Sequence, residues 1–321
     1  MEKVAFILNP ISGTFDKSAV VSYIEWCLKN YPGYEGVVYR TKSKRDANRA
    51  AGQFVEEGYT TVVAVGGDGT VNEVASALVG SGCKLGIVPA GSGNGLARHL
   101  NIPMSFSKAI ETVFDGKTKL IDAGKVNDEY FFCTAGVGFD AHVGNKFNKA
   151  STRGLATYVE FCAREYMKYR PQEYEISILD AKFRQKAFLI TFANSSQWGN
   201  NAFIAPDADI SDGMIDVVVW KNTPKVTMPL LTAELFLKTI KYSEFIDIYR
   251  CRELEICREE EGYVQIDGES RMMGRSIKVS SVFNALEVVV PKESRPIPQI
   301  IEKVPQQLKN IVPRLKDMVN K

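Results

Sequence analysis

Two rhythms alternate along the first third of the chain. Short apolar runs, KVAFILN (3–9), YEGVVYRT (34–41), TTVVAV (60–65) and CKLGIVP (83–89), have the length and near-continuous hydrophobicity of strands covered on both faces. Between them the spacing changes. In KSAVVSYIEWCLKNY (17–31), Val20, Val21, Ile24, Cys27 and Leu28 fall on one helical face. RDANRAAGQFVEEG (45–58) reads as a helix closed by Gly58, and TVNEVASALVG (70–80) as a third. Strands and helices in strict alternation predict a parallel sheet with helices on both sides.

From about Lys125 strand-like runs follow one another: EYFFCTAG, EYEISIL, KAFLITFAN, MIDVVVW, FIDIYRC, ELEIC, YVQIDGE and ALEVVV. This pattern predicts an antiparallel β-sandwich, interrupted by helices at GLATYVEFCAREYMKYR (154–170) and MPLLTAELFLKTIKY (228–242). The last segment is helical again in its spacing, with Ile297, Ile300, Ile301, Val304, Leu308, Ile311, Leu315 and Met318 recurring, and Pro305 and Pro313 dividing it. It reads as a tail packed on the first domain, or else as a basic amphipathic membrane contact through Lys303, Lys309, Arg314 and Lys316. The expected organisation is an α/β domain of residues 1–124 with 295–321, and a β-sandwich domain of residues 125–294.

Composition narrows the picture. With 40 basic and 38 acidic residues the net charge is +2, so bulk charge gives no sign of a nucleic-acid partner. The first apolar run is short for a signal peptide, and no window approaches the ~18 apolar residues of a membrane span. The six cysteines are scattered without a C-x-x-C pair, so buried thiols in a cytoplasmic protein are expected.

Chemistry gathers in the turns. Gly66, Gly67 and Gly69 surround Asp68 at the mouth of the third strand, where ligands of open parallel sheets bind. Glycines let the backbone approach a ligand closely, and the N–H groups of the following helix make a seat for phosphate. An acid in such a seat repels phosphate unless it binds a cation or takes a proton; otherwise Asp68 or Thr70 is simply a helix cap. NPISG (9–13) follows the first strand and PAGSGNGLAR (89–98) the fourth, so three such loops share one sheet edge. G-x-x-x-x-G-K-[ST] is absent, and so is G-x-G-x-x-G after the first strand, which excludes a P-loop NTPase and a simple dinucleotide dehydrogenase.

These motifs, with IDAGKVN (121–127), GVGFDA (136–141), ISDGMIDV (210–217) and DGE (267–269), resemble in order and spacing the diacylglycerol/sphingosine-type lipid kinases over nearly the whole chain. The resemblance implies an NAD kinase/phosphofructokinase-like α/β nucleotide-binding domain followed by a β-sandwich, and an ATP- and Mg²⁺-dependent kinase acting on the hydroxyl of diacylglycerol or a related lipid. Asn9, Ser12, Gly13, Gly66, Gly67, Gly69, Thr70, Ser92, Gly93 and Asn94 would surround the ATP phosphates. Thr41, Asn72 and Glu73 would lie on the nucleotide side, and Arg98 would balance phosphate charge. Asp68 and Asp122 would help hold the reactive Mg²⁺. Asp267 or Glu269 would be the general base; without the resemblance Asp267-Gly268 reads as a hairpin turn. Asp212, with main-chain oxygens near Asp209 and Met214, would bind a second, structural Mg²⁺.

Two positions depart from the family. Thr14 stands where many relatives have a lysine, with Lys17 the nearest substitute, and Gly95 stands where bacterial diacylglycerol kinases have an aspartate. His99 reads as an exposed helix position, and His142 follows GFDA near the place where sphingosine kinases carry an amine-binding acid. The rival readings are an NAD kinase-like enzyme with a soluble substrate and a nucleotide-binding regulator without catalysis. The expected partners are a lipid substrate and a membrane touched peripherally, with no nucleic acid and a homodimer left open.

Overall fold

A computed structural model of the chain describes residues 1–13, 16–148 and 155–292. Thr14 and the tail from residue 295 lie outside the described residues.

The first part runs β1 (Glu2–Leu8), α1 (Lys17–Asn30), β2 (Tyr34–Arg40), α2 (Asp46–Glu56), β3 (Thr61–Gly66), α3 (Asp68–Leu78), β4 (Lys84–Pro89), α4 (Gly95–His99) and α5 (Phe106–Asp115). β2, β1, β3 and β4 lie side by side in that order, all parallel. All six residues of β3 are buried, which is why its sequence is apolar without alternation. Val20, Ile24 and Cys27 of α1 are buried at helical spacing, and the Asp16 carboxylate caps the helix by accepting from Ser18 N. Gly58, at φ 77°, ends the α2 segment as expected.

The second part runs β5 (Lys117–Val126), β6 (Glu129–Phe131), β7 (Thr134–Gly138), α6 (Phe139–Asn148), α7 (Leu155–Lys168), β8 (Gln172–Ile178), β9 (Ala181–Ala193), β10 (Ile215–Lys221), α8 (Met228–Leu237), β11 (Ile246–Cys251), β12 (Glu253–Arg258), β13 (Gly262–Ile266), β14 (Glu269–Met273) and β15 (Ser276–Val290). The strands from β5 to β14 pair antiparallel throughout. One face of β9 and β10 packs into a core with Tyr174, Ile256 and Val264. The other face, carrying Leu189, Val218 and Trp220, is covered by α8 and by Tyr166 of α7.

β15 joins the two parts. Its first half pairs with β12, with Glu253 opposite Ser280; from Val279 onward it also pairs with β5, and its second half touches β4 in parallel at Val288–Leu85. The register shifts between Val282 and Leu286, and Asn284 in that bulge has φ 50°. Ile277 and Val279 therefore belong to the sandwich core, whereas Ala285, Leu286, Val288 and Val290 belong to the core of the α/β part. Among the described residues no helix is long and apolar enough to cross a membrane.

Candidate active site

The three glycine loops meet at the carboxyl edge of the parallel strands. Asn9 N donates to Val65 O, and the Asn9 amide donates to Thr70 Oγ1 at 3.0 Å. Ser12 Oγ turns back to Asn9 O, and Gly13 abuts the Ala90 carbonyl. Gly66 closes β3 and accepts from Ala90 N at 2.7 Å. A Cβ on Gly91 would lie 2.6 Å from the Gly67 Cα, so the second and third loops touch backbone to backbone and admit no side chain between them. Thr41 joins this edge through a hydrogen bond from its N–H to Leu8 O.

Asp68 is the first residue of α3, and Gly67 is its cap. The carboxylate serves a different helix: Oδ2 accepts from Asn94 N at 2.9 Å and Oδ1 from Gly95 N at 2.8 Å. It thus caps α4 across the two loops. Burial pushes its pKa up, opposed by those two N–H groups and by the charge of Arg98. Arg98 itself donates Nε–H to Gly93 O at 3.1 Å, and Ser92 is exposed at the tip of the same loop. Asn94 sits at φ 52° and holds Gly91 from both sides, accepting from Gly91 N and donating to Gly91 O.

Gly95 departs from the family for a visible reason. A Cβ there would fall 2.6 Å from Cys133 Sγ and 3.4 Å from Trp198 O, because residues 197–201 fold over this loop and Asn200 N donates to Gly93 O. The position has no room for a carboxylate. Gly95→Asp is expected to lower stability by about 2 kcal/mol or more through overpacking, read as the shift of the denaturant midpoint; an unchanged midpoint would refute the tight fit.

His99 is half-buried rather than exposed. Its Nδ1 accepts from Ser196 N at 3.2 Å and lies 2.9 Å from Ser196 Oγ, which places its proton on Nε2. The helical position pointed outward in the sequence, but the 194–197 segment of the sandwich covers it. Burial first, then Lys119, lowers its pKa from 6.5 to about 4, against a small opposing pull from Asp209. A depressed histidine pKa stabilises the fold above the unfolded value and loses that contribution as pH falls through the folded one. The stability difference between wild type and His99→Asn should therefore shrink by roughly 2 kcal/mol between pH 7 and pH 4, measured by urea titration at each pH; a constant difference would count against a buried neutral imidazole. His142 lies 2.9 Å from Glu165, which also pairs with Lys146.

The two acids of DGE separate sharply. Asp267 (φ 43°) and Gly268 (φ 85°) form a two-residue turn between Ile266 and Glu269, with both φ values positive as a type I′ hairpin requires. The Asp267 carboxylate faces inward and is 6% exposed. Oδ1 accepts from Cys133 N and Thr134 N; Oδ2 accepts from Phe132 N and the Asn72 amide. Burial pushes its pKa up to about 6 despite these four donors. The hairpin turn and the functional motif are the same object, and Asp267 welds it to β7 and to α3. Glu269 is 31% exposed, and its Oε1 faces Gly69, 2.9 Å from where a Cβ would be. Its Oε2 lies 3.2 Å from Lys44 and 3.1 Å from Arg271, as charge contacts rather than aligned hydrogen bonds. Gly69, Asn72, Glu73, Ile266, Glu269 and Arg271 line one narrow cleft between the two parts. Glu73 also braces α2, accepting from Arg45 N and Asn48 Nδ2.

The remaining acids gather elsewhere. Asp122 is fully buried in β5; its oxygens accept from Gly213 N at 2.6 Å and Asn284 N at 2.7 Å. Its contacts are with the 209–214 turn and the β15 bulge, not with Asp68. Within that turn Asp209 accepts from Ser211 N and Oγ, which draws its pKa down, and Asp212 accepts from Met214 N while Arg250 lies 3.6 Å away. Among the described residues no three His, Cys, Asp or Glu side chains converge as a ready metal cage. Lys44, Arg271, Asn194 and the N–H groups of residues 132–134 went unnoticed in the sequence, because none lies in a motif. Asn194 spans two backbone carbonyls, those of Asp122 and Phe132.

A parallel α/β layer with three touching glycine loops, an acid at their centre and a sandwich closing over them is the arrangement of a two-part nucleotide-binding class of protein. The family described as "Diacylglycerol kinase catalytic domain" matches residues 3–126, and the one described as "YegS C-terminal NAD kinase beta sandwich-like domain" matches residues 133–290. The chain is 30% identical over 309 residues to a diacylglycerol kinase of Bacillus subtilis, covering 91% of this chain and 98% of that one. It is 29% identical over 245 residues to a diacylglycerol kinase of Mycobacterium tuberculosis, covering 73% and 78%. A crystal structure of a diacylglycerol kinase from Bacillus anthracis shares the fold, with TM-score 0.72 at 21% identity over 91% of this chain and 97% of that one. The chain belongs to the diacylglycerol kinase and YegS-like lipid kinase family, and is a kinase.

Proposed function

We propose that the protein transfers the γ-phosphoryl group of ATP to the hydroxyl of diacylglycerol or a closely related lipid, with Mg²⁺, at the cleft between Asp68 and Glu269. The observation that carries this reading is the meeting of Glu269 with the glycine loop at Gly69, which brings an acid of the sandwich to the seat formed by the α/β part. The division of labour follows residues 1–124 with 295–321 for the nucleotide and 125–294 for the lipid, with β15 crossing between them.

The residues fit both groups. The first-turn N–H groups of α3, from Gly67 to Thr70, have no partner within the helix and suit phosphate oxygens. Mg²⁺ takes oxygen ligands, commonly one or two carboxylates with phosphate and water. Asp68 supplies one, and the absence of a side-chain cage among the described residues is consistent with phosphate and water supplying the rest. When bound, the ion would neutralise charge on the phosphoryl group in transfer. Arg98 stands beside Asp68 to share that task through its planar guanidinium. Asp122, tied to the 209–214 turn, orders that turn rather than the reacting centre.

For the general base we favour Glu269. Both Asp267 oxygens are saturated by four donors, so accepting a proton would break the weld. Glu269 has an oxygen turned to the loop, and Lys44 and Arg271 beside it hold the side chain in place. Glu269→Gln is expected to reduce kcat about 100-fold with little change in the KM for ATP. A kcat within twofold of wild type would return the role to Asp267.

The defining experiment is transfer of labelled γ-phosphate from Mg-ATP into diacylglycerol, monoacylglycerol, ceramide and a sphingoid base in mixed micelles. Labelled diacylglycerol is expected. Transfer to NAD instead of any lipid would overturn the reading.

A further inference from the structure

The outward side of α8 is apolar, where a surface helix is ordinarily polar. Leu231 and Leu235 face inward, onto Trp220 and Val218. Val226, in the short turn before the helix, and Leu230, Ala233 and Leu237 recur at spacings of four, three and four, and so share the opposite stripe. Val226 is 75% exposed, and Leu230 and Leu237 are each 61% exposed. Tyr242, just beyond the helix, is 78% exposed.

Cations frame the stripe at both ends. Lys225 precedes it and donates to Met167 O at 2.6 Å, which brings the exposed Met167 and Lys168 of α7 alongside. Lys238 follows it, with Nζ 4.3 Å from the centre of the Phe203 ring. Glu234 is the acid within α8. Leucine and valine in a stripe, lysines at its margins and a tyrosine at one end suit a bilayer interface, where apolar side chains enter the acyl boundary and basic ones meet phosphate.

We infer that the Val226–Leu237 stripe of α8 is the surface by which the protein rests on an anionic bilayer. The inference rests on the lipid-kinase reading for its purpose, since a lipid substrate resides in that bilayer. Charge complementarity selects this occupant over a second copy of the chain. Two α8 helices paired antiparallel about a twofold axis would set Lys225 of one copy against Lys238 of the other, and like charges would face each other at both ends. The surface is also linked to the site. Leu235 O accepts from Phe203 N, and Asn200 of the same loop donates its N–H to Gly93 O beside Asp68. A helix seated on the membrane is thus a few backbone hydrogen bonds from the glycine loops.

The test compares wild type with the double variant Leu230→Asn, Leu237→Asn in sedimentation with vesicles of phosphatidylcholine alone, or of phosphatidylcholine and phosphatidylglycerol in equal parts. Both residues are exposed, so the fold is expected to survive, with an unchanged melting temperature as control. Wild type should bind the anionic vesicles and bind the neutral ones far less, and the variant should lose about tenfold or more of the anionic binding. Turnover of a water-soluble short-chain diacylglycerol should be equal in the two proteins. Equal vesicle binding by the two proteins overturns the inference, as does a wild-type dimer that the variant converts to monomer without altered vesicle binding. If neither protein phosphorylates the short-chain lipid, the diacylglycerol reading fails, and sedimentation still decides whether this surface binds membranes.

Discussion

Asp68→Asn should reduce phosphoryl transfer by about 10³-fold or more while leaving a folded protein. The substitution keeps the size of the side chain and removes its charge. In the structure that carboxylate accepts from Asn94 N and Gly95 N, so an amide can still accept one of the two bonds while its NH₂ group faces the other donor. The weakened cap accounts for about 1 kcal/mol of stability, too little to unfold a chain with two large cores. Activity and stability therefore part company at this residue. The measurement is labelled transfer beside a thermal melt of the same preparation. A near-normal rate would remove Asp68 from the chemistry and leave it as a cap; loss of rate accompanied by loss of fold would also deny it a direct role.

Asp267→Ala should behave in the opposite way, with stability lost first. Three buried donors, the N–H groups of Phe132, Cys133 and Thr134, would be left without their acceptor, while the Asn72 amide keeps its bond to Tyr130 O. Stranding several buried donors at once is expected to destabilise by about 3–5 kcal/mol, seen as a large fall in the urea midpoint. Asp267→Asn should recover part of that loss, since one oxygen remains to accept. A midpoint shift worth less than about 1 kcal/mol would mean that the loop closes its hydrogen bonds in another way. The contrast with Glu269→Gln, which removes no structural acceptor, separates the two acids of DGE by what each variant loses.

Much of the α/β part was legible because its signals are local. β1 to β4 announce themselves as apolar runs, and the glycine loops follow β1, β3 and β4. α5 and the first half of β15 were not legible. SIKVSSV mixes polar and apolar residues because it serves two neighbours, with β12 alongside residues 276–280 and β5 alongside residues 279–282 before the bulge and 286–290 after it. The site was legible in its motifs but not in its allegiances. GGDG places an acid among glycines, yet nothing near it says that the carboxylate caps α4, 26 residues on. Asp122 reads like a partner of Asp68 from sequence, whereas its hydrogen bonds lead to Gly213 and Asn284, 91 and 162 residues away. Such contacts depend on how the two parts are laid together, which residue type and spacing do not encode. His99 was misjudged for the same reason: its cover comes from Ser196, 97 residues later.

The path of β15 bears on whether the two halves are separable modules. A strand that fills one core with Ile277 and Val279 and the other with Ala285 to Val290 is shared property. A fragment ending after β5 would keep every glycine loop and yet lack the strand that closes its sheet, leaving β5 with a raw edge and an apolar gap beneath it. Transplanting the catalytic half onto another partner would require carrying residues 276–290 along with it.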